Sequence, residues 1–333
     1  MIHHTLITVC CCLLLSATVH SAHAQNNRTA MPHDIFRIKG LKIGQAQDTV
    51  GKTGVTVLLF EDGAVVGAVV RGSAPGTRET DLLRPGNLVE KVHAVVLSGG
   101  SAFGLASMDG VAAYLEEQGV GYETGVAKVP IVTGAVLFDL AVGDARARPD
   151  ADMGYAAAQS AGRTTFAEGG HGAGTGASVG KLRGQEYASP GGIGCTVLTF
   201  PDGLVVAAVV AVNALGDIYE GEEIVAGMLN EEKNAWLNSE DYVLQGYQTR
   251  PFGGNTTLGV IITNAKLTKA QAQKLASVAH DGFARSIRPA HTLYDGDIIF
   301  AAATGEVEFS DMLFLSTAAQ RAAEQAVLRA VKR

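Results

Sequence analysis

Gly253-Gly254-Asn255-Thr256-Thr257-Leu258-Gly259-Val260-Ile261-Ile262-Thr263 runs from flexible glycines through Asn-Thr straight into apolar residues. Leu258 to Thr263 is short, rich in β-branched side chains and free of charge, which predicts a strand. A Thr hydroxyl is a poor nucleophile until a base lies beside it. One solution makes the Thr an N-terminus, so that its own α-amine, unperturbed at about 7.7–8.0, takes the proton. That arrangement needs a backbone cut just before a Thr on a rigid strand, with a flexible segment ahead of it, and Asn255-Thr256 offers such a place. By itself the stretch also reads as a plain turn entering a strand.

Around it, strands and helices alternate. Gly54 to Phe60 and Ala64 to Val70 read as two strands joined by Glu61-Asp62-Gly63, whose Asp-Gly pair signals a hairpin. Thr196 to Phe200 and Leu204 to Val212 repeat the pattern across Pro201-Asp202-Gly203. His93 to Leu97 is a short buried strand. It runs through Ser98-Gly99-Gly100-Ser101 into a helix from about Ala102 to Gln118, with Phe103, Ala106, Val111 and Leu115 at helical spacing. Leu267 to Ile287 is helical, with Thr268 as N-cap and Gln271 three residues on. Asp297 to Ala303 is a strand and Thr317 to Val331 a closing helix. Thr164 to Gly180 is glycine-rich and without apolar period, so it reads as an irregular loop, while Asp217 to Arg250 is polar, helix-prone and loop-like. Two hairpins, long helices and no ~30-residue βαβ rhythm predict layers of helices and antiparallel-rich sheets, not a doubly wound parallel sheet.

Residues 1–24 carry no Lys, Arg, Asp or Glu, and Leu6 to Val19 is an apolar run shorter than the roughly 20 residues a bilayer span takes. The run ends in Ala22-His23-Ala24, a small-x-small cleavage pattern, although His3 and His4 stand where a signal usually carries Lys or Arg. This is the pattern of a secretory signal cleaved after Ala24, and it predicts an exported, periplasmic protein. Cys10, Cys11 and Cys12 lie in that segment, so the mature chain keeps one cysteine, Cys195, and no intramolecular disulfide. About 300 mature residues rich in Ala, Val, Leu and Gly are enough to build a core without one. A net charge of −7 with no basic stripe argues against nucleic acid as a partner, and no second apolar stretch is long enough for a membrane.

Three motifs do not hold up. Gly174 to Lys181 resembles a phosphate loop, but Thr175 and Leu182 occupy positions that need Gly and Ser or Thr. Gly99-Gly100-Ser101-Ala102-Phe103 lacks the closing glycine of a serine-hydrolase elbow and reads as a tight turn at a helix start. His280 and His291, eleven residues apart, and the lone Cys195 have no metal-site spacing, so neither a metal nor another cofactor is expected.

Gly254 to Asn264, together with His291-Thr292-Leu293-Tyr294-Asp295-Gly296-Asp297 and Phe300, resembles the signatures of the DmpA family of self-processing aminopeptidases, which also includes the nylon-oligomer endohydrolases. The similarity extends to Val95 to Gly104, Val129 to Leu140, Gly176 to Lys181 and Val210 to Gly216, in the same order along nearly the whole mature chain. The resemblance implies a four-layer αββα sandwich, cleavage into an α-chain of residues 25–255 and a β-chain of 256–333, and association as tetramers. It also implies Thr256 as nucleophile with its α-amine as base, and Asp295 and Asp297 holding the Thr256 ammonium and hydroxyl in place. Two apart on an extended segment, those carboxylates project to one side; as a pair they also fit an exposed, solvated turn. Lys181, at the end of the glycine-rich loop, would lower the pKa of that amine. Asn213, at the end of the run Leu204 to Val212, would donate to the developing oxyanion. Without the resemblance, Lys181 reads as a surface lysine and Asn213 as a strand-ending turn residue.

One departure stands out: Phe138 replaces a Tyr found in the nylon-oligomer branch and in some aminopeptidases, removing a phenolic hydroxyl from the candidate substrate pocket. The implied activity is hydrolysis of short peptides or amino-acid amides through a Thr256 acyl-enzyme. Endo-cleavage of aminohexanoate oligomers is the alternative. An acyltransferase of the ornithine acetyltransferase type and a non-enzymatic periplasmic binding protein are readings from other classes.

Overall fold

Strand β6 (Val205–Asn213) is buried at every position because both of its faces are covered. Val205, Ala207, Val209 and Ala211 face one apolar cluster, and Val206, Ala208, Val210 and Val212 face another. Period-two alternation of this kind places a strand inside a layered stack. The computed structural model describes residues 29–30, 32–246 and 254–332; the expected signal segment lies outside them.

The long strands are β1 (Leu41–Asp48), β2 (Thr53–Val70), β3 (Val92–Ser98), β4 (Val132–Val136), β5 (Gly192–Thr199), β6, β7 (Thr256–Ala265) and β8 (Ile298–Val307). One sheet runs β5-β6-β7-β8 and ends on the second half of β2; the other runs β1-β2-β3-β4 through its first half. β7 and β8 are parallel, as are β3 and β4, and the remaining neighbours in this list are antiparallel. Between the sheets lie Leu58, Phe60, Val95 and Leu97 against Val209, Val260, Ile262 and Phe300.

Helices α1 (Ser107–Glu117) and α2 (Ala151–Gln159) cover the outer face of the second sheet, where Met108, Val111, Leu115 and Ala157 meet Val55, Val57 and Val96. A short helix α3 (Ser239–Leu244) lies apart. Helices α4 (Lys269–Ser286) and α5 (Met312–Val331) cover the outer face of the first sheet through Leu275, Phe283, Leu315, Ala322 and Val327. This is the αββα sandwich. At the start of α4, Thr268 and Gln271 form the expected capping box, a device that typically contributes about 1 kcal/mol.

Several expectations need correction. Gly54 to Phe60 and Ala64 to Val70 are not a hairpin but two halves of the single strand β2. At Glu61-Asp62-Gly63 the register against β3 shifts, and Gly63 takes φ +70°, so the chain bends and passes into the other sheet instead of reversing. Gly192 to Asn213, by contrast, is a true hairpin. The helix expected from Ala102 opens as a 3-10 turn over Ser101–Ala106, and Phe103 and Ala106 are exposed there. Asp217 to Arg250, read as polar and loop-like, contains short strands at Asp217–Glu220 and Glu223–Ala226. The buried Asp217 carboxylate gathers them: it accepts the amides of Met228 (2.8 Å) and Ser239 (2.7 Å) and the Ser239 hydroxyl (2.8 Å). Strand β1 and helix α2, the latter capped by Asp150, are elements that the sequence expectations did not include.

Candidate active site

The register of β6 against β7 sets Asn213 directly opposite Thr256. The parallel pairing of β7 with β8 brings the turn ahead of β8, residues 291–297, alongside the same end, where Asn255 bridges to Asp295. Three segment ends therefore converge on the Asn255–Thr256 bond, and Thr256 itself is only 5% exposed.

The Thr256 hydroxyl donates to the Asn255 carbonyl oxygen at 2.5 Å. The same oxygen accepts the Gly296 amide at 2.8 Å. Glycine is required at 296, since a β-carbon there would lie 2.5 Å from the Ala74 carbonyl oxygen and 2.7 Å from Thr256 Oγ1. The carbonyl ahead of the threonine is thus polarised by a backbone donor while a hydroxyl rests on it.

Lys181 is held by the turn after Val179, where Gly180 takes φ +72° and a side chain would strike the Gly227–Met228 backbone. Its ammonium is enclosed although its stem is partly exposed: Nζ donates to Asn213 O (3.1 Å), Asn213 Oδ1 (2.9 Å) and Gly254 O (3.0 Å). Burial lowers its pKa to about 7, against the opposing pull of Asp295, Asp139 and Asp297. Asn213 Oδ1 also accepts the Ser178 amide at 3.1 Å, while its Nδ2 donates to the carbonyls of Phe138 (2.9 Å) and Gly254 (3.2 Å). The Asn213 amide therefore engages the carbonyl of Gly254, one residue ahead of the Asn255 carbonyl.

Asp295 and Asp297 are buried; Asp295 pairs with Asn255 as a β-bridge just after a tight turn, and Asp297 directly precedes β8. Their hydrogen bonds go to backbone and turn groups. Asp297 Oδ1 accepts the Thr257 amide at 2.7 Å, and Asp295 Oδ2 accepts the Thr292 amide (2.8 Å) and hydroxyl (2.6 Å). Together with the Asn255–Asp295 bridge, the pair fixes the backbone on both sides of Thr256. Burial, and then the charge of Asp297, raises the pKa of Asp295.

Phe138 lines a recess of about 120 Å³ beside Asn255 and Thr256, shared with Ala74, Pro75, Gly76, Val136 and Tyr294. A larger recess of about 590 Å³ lies against the Glu168–Arg329 ion pair, and none of the candidate site residues lines it. The chemistry follows the hydroxyl, so the smaller recess is the candidate substrate site.

Thr256, Asn255, Lys181, Asn213, Phe138, Asp295 and Asp297 are thus all brought together. Sequence reasoning missed Gly296, whose signal was its place between two aspartates. It also missed Asp139, which accepts the Gly100 amide and the Thr53 hydroxyl at 2.7 Å each and pins the glycine turn beside the recess. Burial raises the pKa of Asp139 despite these donors. His280 and His291, set aside as metal ligands, do meet in space, with ring centroids 4.8 Å apart.

Residues 33–333 match the sequence profile of peptidase family S58. An uncharacterized aminopeptidase of Mycobacterium leprae is 45% identical over 266 residues, covering 77% of this chain and 72% of its own. A 6-aminohexanoate-oligomer endohydrolase of Kocuria sp. is 30% identical over 281 residues, covering 82% of this chain and 75% of its own. Among solved structures, an L-aminopeptidase D-Ala-esterase/amidase from Ochrobactrum anthropi, described as a variant of the Ntn hydrolase fold, aligns with a TM-score of 0.69 at 17% identity. That alignment covers 92% of this chain and 87% of the other. At that identity the likeness establishes the fold.

Proposed function

This chain belongs to peptidase family S58, a family of peptide and amide hydrolases, and we propose that it cuts itself between Asn255 and Thr256 and then works through the freed Thr256. The observation that carries the reading is the Thr256 hydroxyl resting on an Asn255 carbonyl already bound by the Gly296 amide. In the self-cut, Thr256 Oγ bonds to the Asn255 carbonyl carbon and the carbon–nitrogen bond breaks. The hydroxyl proton ends on the Thr256 nitrogen, and an ester joins Asn255 to Thr256. The Gly296 amide stabilises the negative oxygen formed on the way, a contribution typically of ~3–4 kcal/mol for one such donor. Water then hydrolyses the ester, leaving the Asn255 carboxylate and a free Thr256 amine.

In turnover that amine takes the hydroxyl proton, the oxygen bonds to the substrate carbonyl carbon, and the proton passes to the leaving amine. Water hydrolyses the acyl-enzyme. Departure of Gly254 would free Asn213 Nδ2 and Lys181 Nζ to receive the substrate carbonyl. Short peptides with a free amino end are the favoured substrates, because relatives described as aminopeptidases are more similar, at 45%, than the endohydrolases at 30%. In the same reading the chain is exported to the periplasm, losing residues 1–24 as a cleaved signal, and its processed units form tetramers.

Thr256→Ala tests the reading: it should leave one intact chain without hydrolase activity, whereas Thr256→Ser should keep part of both functions. A cleaved, active Ala variant would defeat it.

A further inference from the structure

His291 is one of the few non-glycine residues with positive φ, at +57°, a conformation that costs a residue with a β-carbon. The turn uses it to aim two donors at one oxygen. The His291 amide lies 3.2 Å, and its ring Nδ1 2.8 Å, from Asp297 Oδ2. A carboxylate opposite Nδ1 means that this nitrogen carries the hydrogen. The other ring nitrogen, Nε2, is buried without a hydrogen-bond partner, so Asp297 is the ring's one hydrogen-bond partner among the described residues. The ring is wedged edge-on against His280 of α4, whose own Nε2 is tied to the Val69 carbonyl at 2.9 Å. The second oxygen of Asp297 grips the amide of Thr257, the residue after the nucleophile.

We infer that His291 is a positioning residue of the hydrolase: it orients Asp297 through Oδ2, so that Oδ1 holds the first residues of β7 and keeps Thr256 in place. The inference rests on the function proposed above and adds a residue which that mechanism does not use. His291 does not touch the reacting atoms. Burial lowers His280 to about 4, so near neutral pH it packs against the His291 ring as a neutral partner.

Two substitutions separate positioning from mere structure, because both tolerate the left-handed backbone. His291→Gly keeps the turn and removes the ring donor. His291→Asn keeps the turn and places an amide nitrogen where Nδ1 stood. The full chain of each is expressed, its self-cleavage followed with time, and kcat and KM measured on a chromogenic amino-acid anilide that wild type hydrolyses. His291→Gly should cut itself slowly and lose roughly 10- to 100-fold in kcat with little change in KM, as expected for a misplaced reacting group. His291→Asn should recover most of the rate. Wild-type cleavage at Thr256 with both variants equal to wild type overturns this inference alone, as does an equal loss in both variants. A wild-type small fragment that starts elsewhere removes the proposed function and this inference together.

Discussion

Asn213 and Thr256 are register partners, the last residue of β6 facing the first residue of β7. Around that pair one carbonyl is gripped from each side. Lys181 and Asn213 hold the oxygen of Gly254, and Gly296 holds the oxygen of Asn255. The two residues ahead of Thr256 are therefore fixed by different donor sets, and each set can be disturbed separately.

Gly296→Ala should slow self-cleavage by more than ~10-fold, a loss of ~1.4 kcal/mol or more of transition-state stabilisation. The new methyl meets Ala74 O and Thr256 Oγ1 at distances that force one of them to move. A time course of the uncut band on a denaturing gel reads it directly, with circular dichroism confirming the fold. Cleavage at the wild-type rate would remove Gly296 from the mechanism.

Asp297→Asn should lower kcat more than ~10-fold while the protein stays folded, because the role is positional. If the amide oxygen still accepts from Thr257, its NH₂ must face the two donors of His291, leaving donors opposed to donors. Steady-state kinetics beside a thermal melt check this. Near-normal turnover would return the carboxylate to a purely structural role.

The apolar rhythm made the interior strands and the helices at the C-terminal end legible in advance. Leu258 to Thr263, Asp297 to Ala303 and the capped helix after Thr268 needed only local pattern. Gly63 was misread because a positive-φ glycine serves a hairpin and a strand bend equally, and only the neighbouring strand decides between them. Asp217 to Arg250 was misread because its order comes from one buried carboxylate and not from an apolar stripe. At the site, the side chains with reactive groups stood out, whereas the Gly296 amide and the Asp297–His291 contact depend on how a turn folds and leave no periodic trace.

Lys181→Met should move the rising side of the kcat/KM profile to higher pH in matured protein. The proposed base is the Thr256 α-amine, active only when unprotonated. A nearby ammonium disfavours its protonation and lowers its pKa, so removing the charge lets that pKa climb. Because burial lowers Lys181 to about 7, its charge fades above neutrality, so the shift is read mainly on the acid side, and the variant's alkaline plateau should be lower because Nζ no longer donates to the substrate carbonyl. Superimposable curves throughout would take this role from Lys181 and leave Thr256 untouched.

The central claim is the cut itself, and N-terminal sequencing of the purified full-length protein, separated under denaturing conditions, tests it most directly. β7 is hydrogen-bonded to β6 and β8 to β2, each pair crossing from one fragment to the other, so the two fragments should travel as one species until denatured. The account predicts a smaller fragment beginning Thr256-Thr257-Leu258 and a larger one ending at Asn255. A single uncut chain that nevertheless hydrolyses amides, or a small fragment beginning at any other residue, would contradict it.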